Sequence, residues 1–193
     1  MRAQDLDTLL ADLTSGDDAR AEAAVPALVA LGETAFPALR RLLASEDADH
    51  RWWAVRVLSQ HPSPPVEWIA RALEDPSADV RQCAALGLCA HPSEENIPAL
   101  IRALSDADSM VSDLAARALA SIGEAAVPAL LEVLEKAPQL ARINAMRALS
   151  EIADPRAIPA MMKALDGDSL MMRHWAEEGL KRLKLDMVFL KPD

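Results

Sequence analysis

Apolar residues recur along this chain at helical spacing, in short stripes that are interrupted on a regular clock. In the stretch Ile97–Gly123, Ile97, Leu100, Ile101 and Leu104 make one stripe, and Val111, Ala115, Leu119 and Ile122 make a second. Steps of three and four residues keep each stripe on one face of an α-helix. Between the stripes, Ser105-Asp106-Ala107-Asp108 breaks the pattern. Asp108 is placed to cap the second helix, because its carboxylate can accept hydrogen bonds from the first free N–H groups. Pro98 stands in the first turn of the first helix, where the missing N–H has no helical partner to lose. Gly123 follows the second stripe, where a left-handed residue closes a helix. The unit reads as a helix, an acidic loop and a second helix. Each helix is apolar along one side only, so the pair needs neighbours to bury both stripes.

The unit is copied along the chain. Pro37, Glu67, Pro98, Pro128 and Pro159 are separated by 30, 31, 30 and 31 residues, and Asp7 opens a weaker first copy 30 residues before Pro37. Second helices keep the same period: Leu28, Leu58, Leu88, Leu119, Leu149 and Leu180 are equivalent, as are Ala24, Ala54, Ala84, Ala115, Ala145 and Ala176. The predicted pairs cover residues 5–32, 35–61, 65–91, 96–123, 126–153 and 157–183, within one domain spanning 1–193. Helix pairs repeated at this period define an all-α fold, an α-α superhelix of six pairs. Pro26 falls inside the second helix of the first pair and is expected to bend or break it. His61-Pro62-Ser63-Pro64-Pro65 fits the period and reads as a stiff turn. Residues 184–193 leave the pattern, and Met187, Val188, Phe189 and Leu190 are expected to fold back over the last pair as a cap.

The pattern resembles the HEAT-repeat family, and within it the short-repeat branch first associated with phycobilisome lyase subunits. Three features carry the resemblance. The first is the Pro-Ala-Leu start of the first helix, at Pro37-Ala38-Leu39, Pro98-Ala99-Leu100 and Pro128-Ala129-Leu130. The second is an acidic turn, at Asp75, Asp79, Asp106 and Asp108. The third is an arginine opening the second helix, at Arg51, Arg81, Arg142 and Arg173. Ser112 and Ala21 replace that arginine in the fourth and first pairs. The resemblance covers the whole chain and implies the fold. It carries little about function, because the repeat signature is scaffold.

Composition narrows the function classes. The chain is 51% hydrophobic but only 3% aromatic, with a net charge of −10. That charge opposes non-specific attraction to nucleic acid or to an anionic membrane. No uninterrupted apolar run approaches the ~20 residues needed to cross a bilayer, and the segment MRAQDLDTLL lacks an apolar signal core. Cys83 and Cys89 are six residues apart on one predicted helix, so they point in different directions and cannot bridge each other. A reducing cytoplasm is the expected compartment.

Candidate chemistry is sparse. His61 and His91 occupy equivalent positions, each before a proline, with Cys89 nearby. They could serve as metal ligands, against the plainer reading of histidines at helix C-termini. Some HEAT-like hydroxylases hold iron through His-Glu pairs, but no histidine here precedes a glutamate. No phosphate-binding glycine loop, Gly-x-Ser-x-Gly turn or His-Glu-x-x-His helix occurs. Cys83 and Cys89 read as packing residues. The expectation is no catalytic residue, no metal and no cofactor.

A row on the first helices, Arg41, Arg71, Arg102 and Lys163, is partly basic but broken by Glu132. Some HEAT-like DNA glycosylases bind duplex DNA on a basic concave surface. This row lies on the other helix layer of an acidic chain and reads as a solvated face. The second helices carry the better candidate, since the resemblance puts them on the concave side. Counting from His50, Val80, Val111, Ala141 and Met172, positions two and six further on share one face. They read Trp52/Arg56, Gln82/Leu86, Asp113/Arg117, Ile143/Arg147 and His174/Glu178. Trp52, Arg56, Leu86, Arg117, Ile143 and Arg147 form the expected partner-binding row, because Trp and Arg are frequent binding anchors. The plainer reading has Trp52, Leu86 and Ile143 packing on the next repeat, and Trp53 and Trp175 are expected to be half buried. The expected function is a non-enzymatic scaffold or adaptor for another protein, with no nucleic acid and no membrane. The alternative implied by the resemblance is a bilin lyase-like subunit handling a tetrapyrrole on a client protein.

Overall fold

The computed structural model describes residues 3–167 and 169–185. The described residues form twelve α-helices and no strand. In chain order the helices are α1 (Ala3–Leu13), α2 (Asp18–Ala30), α3 (Phe36–Leu42), α4 (Ala48–Gln60), α5 (Val66–Arg71), α6 (Ala78–Ala90), α7 (Ile97–Ala103), α8 (Ser109–Ile122), α9 (Val127–Lys136), α10 (Gln139–Ile152), α11 (Ile158–Leu165) and α12 (Leu170–Arg182). Odd and even helices are the first and second members of the six pairs, so the fold class is the all-α, α-α superhelical one. The capping expectation for Met187, Val188, Phe189 and Leu190 lies outside the described residues.

The helix boundaries follow from local chemistry. Pro37, Pro98, Pro128 and Pro159 are each the second residue of a first helix. Asp17, Asp47, Asp108 and Ser169 cap second helices through their side chains. The Asp108 carboxylate accepts from the N–H groups of Met110 and Val111 at 2.9 and 3.0 Å. After the second helices the chain reverses through a positive φ at equivalent positions: Gly32 (58°), Gly123 (80°), Ala153 (54°) and Lys184 (60°). Proline takes that place at Pro62 and Pro92.

Contacts divide the chain into two compact units, Met1–His91 and Pro92–Asp193. In the first unit α2, α4 and α6 pack in succession, and α1, α3 and α5 lie on their own partners. In the second, α8, α10 and α12 pack in succession, with α7, α9 and α11 against them. The equivalent leucines, Leu28 to Leu180, are 0–1% exposed and the equivalent alanines, Ala24 to Ala176, 0–3%. Small residues set the approach of neighbouring helices. A Cβ on Gly87 would sit 2.2 Å from Ser59 Oγ, and one on Gly179 2.5 Å from Met161 Cε.

Two expectations change in the folded chain. Pro26 does not break its helix, since α2 runs through it from Asp18 to Ala30. Proline removes one N–H and crowds the carbonyl four residues back. Both Pro26 and Glu22 lie on the exposed side of α2, so the freed carbonyl is on the solvent side. Trp53 is buried at 9% exposure, whereas Trp175 is half buried as expected. Ser109–Lys136 is apolar and long enough to cross a membrane by length and composition alone. It folds as two helices that turn at Gly123, with Val111, Leu119, Val127 and Leu130 buried.

At Arg51 the arginine that opens the second helix is a structural clamp. Arg51 Nη1 donates to the carbonyls of Ser45 and Glu46 at 2.9 and 3.0 Å. Its Nε and Nη2 donate to Asp75 in the next loop, at 2.7 and 2.8 Å. Arg81 Nη1 repeats the local half of this, donating to the carbonyls of Asp75 and Pro76. Asp75 Oδ1 also accepts from the Ser77 N–H at 2.9 Å. Loop and helix pairs are thereby stitched together by one side chain.

Candidate functional site

Second helices bury one face at Ala54 and Leu58 or their equivalents. Two residues along an α-helix is about 200° around its axis, so positions two and six of each register turn away from that face. In the first unit, Trp52 and Arg56 on α4 are half buried and Leu86 on α6 is 50% exposed. In the second unit, Arg117 on α8 is exposed, and Ile143 and Arg147 on α10 are half buried. Each unit brings its own three of the six residues onto adjacent second helices. The Trp52 ring meets the Trp53 ring edge-on at 4.7 Å, so Trp52 is partly committed to packing. The first-helix row Arg41, Arg71, Arg102, Glu132 and Lys163 is exposed throughout.

The row has an order that residue identity alone does not reveal. Arg56 Nη2 pairs with Glu22 Oε1 at 2.9 Å, and Arg147 Nη1 with Asp113 Oδ1 at 3.1 Å. In both, an arginine at position six meets a carboxylate at position two of the preceding second helix. Arg147 also donates from Nε to Glu151 at 3.3 Å and lies 5.3 Å from the centre of the Trp175 ring. Solvent-accessible pairs like these contribute ~0–1 kcal/mol each, so their effect is to hold the guanidinium groups in place. Arg117 has no side-chain partner among the described residues. It is the free cation of its unit's row.

The groups weighed for chemistry have structural roles. His61 Nδ1 accepts from the Ser63 N–H at 3.0 Å, and its ring meets Phe36 edge-on at 5.1 Å. His91 Nε2 donates to the Ser59 carbonyl at 2.9 Å, fixing its tautomer. Among the described residues, no group of three or more His, Cys, Asp or Glu is placed to hold a metal ion. Burial pushes the Cys83 thiol up to about 12, against a small opposing effect of Arg56. Cys83 therefore stays protonated at neutral pH and is a poor nucleophile. Asn144, not singled out from sequence, is buried and donates from Nδ2 to the Leu104 carbonyl at 3.0 Å, closing the end of α7. An asparagine where its equivalents are Trp53, Cys83 and Leu114 was the available signal.

The comparisons bear on the family and the fold. The family model for HEAT repeats matches residues 65–141 and 124–181. The chain belongs to the HEAT-repeat family. No curated protein matches the sequence. The complex of CpcE and CpcF of phycocyanin lyase from Nostoc sp. PCC7120 is similar at 23% identity, over 76% of this chain and 99% of that one, with a TM-score of 0.59. YibA of E. coli is similar at 18% identity over 97% of this chain and 75% of its own, with a TM-score of 0.62. An engineered protein is similar at 24% identity over 95% and 97%, with a TM-score of 0.53. At these identities the likeness is one of fold.

Proposed function

We propose that this chain is a non-enzymatic scaffold that binds another protein through the solvent-facing row of its second helices. The observation that supports the reading is Leu86, half exposed on a face that also carries Trp52 and Arg56, with the exposed, unpaired Arg117 in the equivalent row of the second unit. Trp52 and Arg56 are residue types enriched at binding hot spots, and Leu86 adds accessible apolar surface on the same side. The net charge of −10 favours a protein over nucleic acid or an anionic membrane as the partner. The whole chain, 1–193, is taken to act as a single domain.

A bilin lyase-like role would use Arg56, Arg117 and Arg147 on the propionates. Two of these are already engaged with carboxylates, which disfavours that reading. Addition of a bilin with no absorbance change agrees with the scaffold, and a spectral shift turns the assignment to the lyase-like role.

The test is affinity purification from the source cell with mass spectrometry, comparing wild type, Leu86→Asp and Arg117→Glu, with Arg41→Glu and Arg71→Glu as controls. The scaffold reading expects at least a tenfold loss of one specific protein with each row variant and retention with the controls. Normal recovery by both row variants, with loss in the controls, places the contact on the first helices and removes the proposal.

A further inference from the structure

The same groove occurs once in each unit, small in one and large in the other. In the first unit, Arg40, Leu43, Trp68, Arg71 and Val80 line a small cavity of about 210 Å3 beside Asp75. Trp68 forms one wall, with the Arg40 guanidinium 5.5 Å from the ring centre, and Asp75 on another wall is paired with Arg51 at 2.7 Å. The repeat register carries Trp68 to Ala160, Asp75 to Gly167, Arg71 to Lys163 and Arg51 to Arg142. In the second unit those positions line a groove of about 830 Å3 with Leu131, Leu134 and Met172. The large ring and the carboxylate are both gone, and the volume is that of a ligand pocket.

The arginine has stayed behind. Arg142 lines the groove, and its Nε is buried with no hydrogen-bond partner. Its side chain has no ion pair with any described residue, Asp166 included. The half-buried Arg142 side chain is thus a cation lining the groove without a counter-charge among the described residues, and an acidic ligand would supply one. The remaining charge at the groove is mixed. Lys163 is exposed at the rim, Arg156 is held by Asp154, and Glu135 is the opposing carboxylate among the described lining residues.

We propose that this groove between α9, α10 and α11 binds a short segment of a partner protein, which presents an Asp or Glu carboxylate beside a large aromatic side chain. The ligand is defined by what the smaller copy contains: a carboxylate beside the arginine and an aromatic ring on the apolar wall, both supplied by polypeptide. A guanidinium–carboxylate contact is charge-assisted, which selects an acidic side chain over a neutral one. The site lies on the first-helix side, apart from the second-helix row, and stands or falls independently of it.

The test uses a fluorescein-labelled, capped pentapeptide with a central Trp-Asp pair, titrated by anisotropy against the full chain. Wild type is expected to bind it at least tenfold more tightly than the Trp-Asn and Ala-Asp versions. Arg142→Gln should remove that preference. Gly167→Asp should restore the missing internal carboxylate: a Cβ there meets only the Ala164 carbonyl, at 3.4 Å, and the backbone is not left-handed. This variant should weaken the peptide tenfold or more while melting no lower than wild type, so loss of binding cannot be loss of fold. Equal affinity for Trp-Asp and Trp-Asn peptides, or undiminished binding by Gly167→Asp, overturns the proposal. Binding of free indole-3-acetate as tightly as the peptide makes the ligand a small carboxylate and overturns it as stated. A chain ending at residue 185 that binds ten times more tightly than the full chain makes residues 186–193 the occupant, with the same consequence.

Discussion

The guanidinium of Arg51 grips the carboxylate of Asp75 through two hydrogen bonds, and both side chains are almost closed to solvent, at 12% and 10% exposure. Removing one member strands the other. Asp75→Ala is therefore expected to lower stability by ~3 kcal/mol, measured by urea unfolding. A change near zero would mean that the surrounding carbonyls hold Arg51 without it.

The same pair gives a pH signature. Burial opposes the charge on Asp75, but the Arg51 hydrogen bonds, the Ser77 N–H and the charges of Arg51 and Arg81 outweigh it and hold the carboxyl below its usual range. A carboxyl with a depressed folded pKa contributes stability that is complete above its unfolded value, about 4. That contribution is lost as pH falls through the folded value. The gap in melting temperature between wild type and Asp75→Asn should be widest near neutral pH and close in the acid range. A gap independent of pH would remove this assignment.

Leu119 is 0% exposed in the C-terminal half of α8. Leu119→Ala leaves a cavity in the stack and should destabilise by ~2–5 kcal/mol. A loss below about half a kcal/mol, the range of surface substitutions, would be incompatible with the observed register.

Ala153 holds a left-handed conformation, φ 54° and ψ 45°, at the position that Gly32 and Gly123 fill elsewhere. A side chain there carries a penalty of ~1 kcal/mol. Ala153→Gly should therefore stabilise by about that amount, and calorimetry should register an increase of roughly 2–4 °C. A lower melting temperature would show that the methyl group is needed for packing.

The single-domain reading of 1–193 expects one cooperative unfolding transition, with calorimetric and van't Hoff enthalpies equal. Two transitions, with protection lost separately before and after His91, would replace it with two domains.

Much of the fold was legible because a repeat states its own register. Leu28 to Leu180 and Ala24 to Ala176 are buried at every copy, since periodicity averages out local irregularity. Of the two outcomes expected at Pro26, a bend or a break, the break does not occur, because the effect of a proline depends on which side of the helix it faces. The site was legible only as a row of positions. The pairs Arg56–Glu22 and Arg147–Asp113 join residues 34 apart, a separation that is meaningful only when helices stack. The open groove was illegible for a different reason. It is made by Ala160 and Gly167, and residues that lack side chains leave no motif.

The packed helices of each unit are neighbours in sequence, and this bears on how the chain reaches its structure. Bringing one pair against the next closes a loop of about thirty residues, an entropic penalty that grows only slowly with length. No distant segment has to arrive before an early one is satisfied. Low contact order of this kind accompanies fast folding, and nearest-neighbour stacking lets it begin at any pair and spread outwards. A damaged pair would then fray locally while the rest of its unit stays assembled.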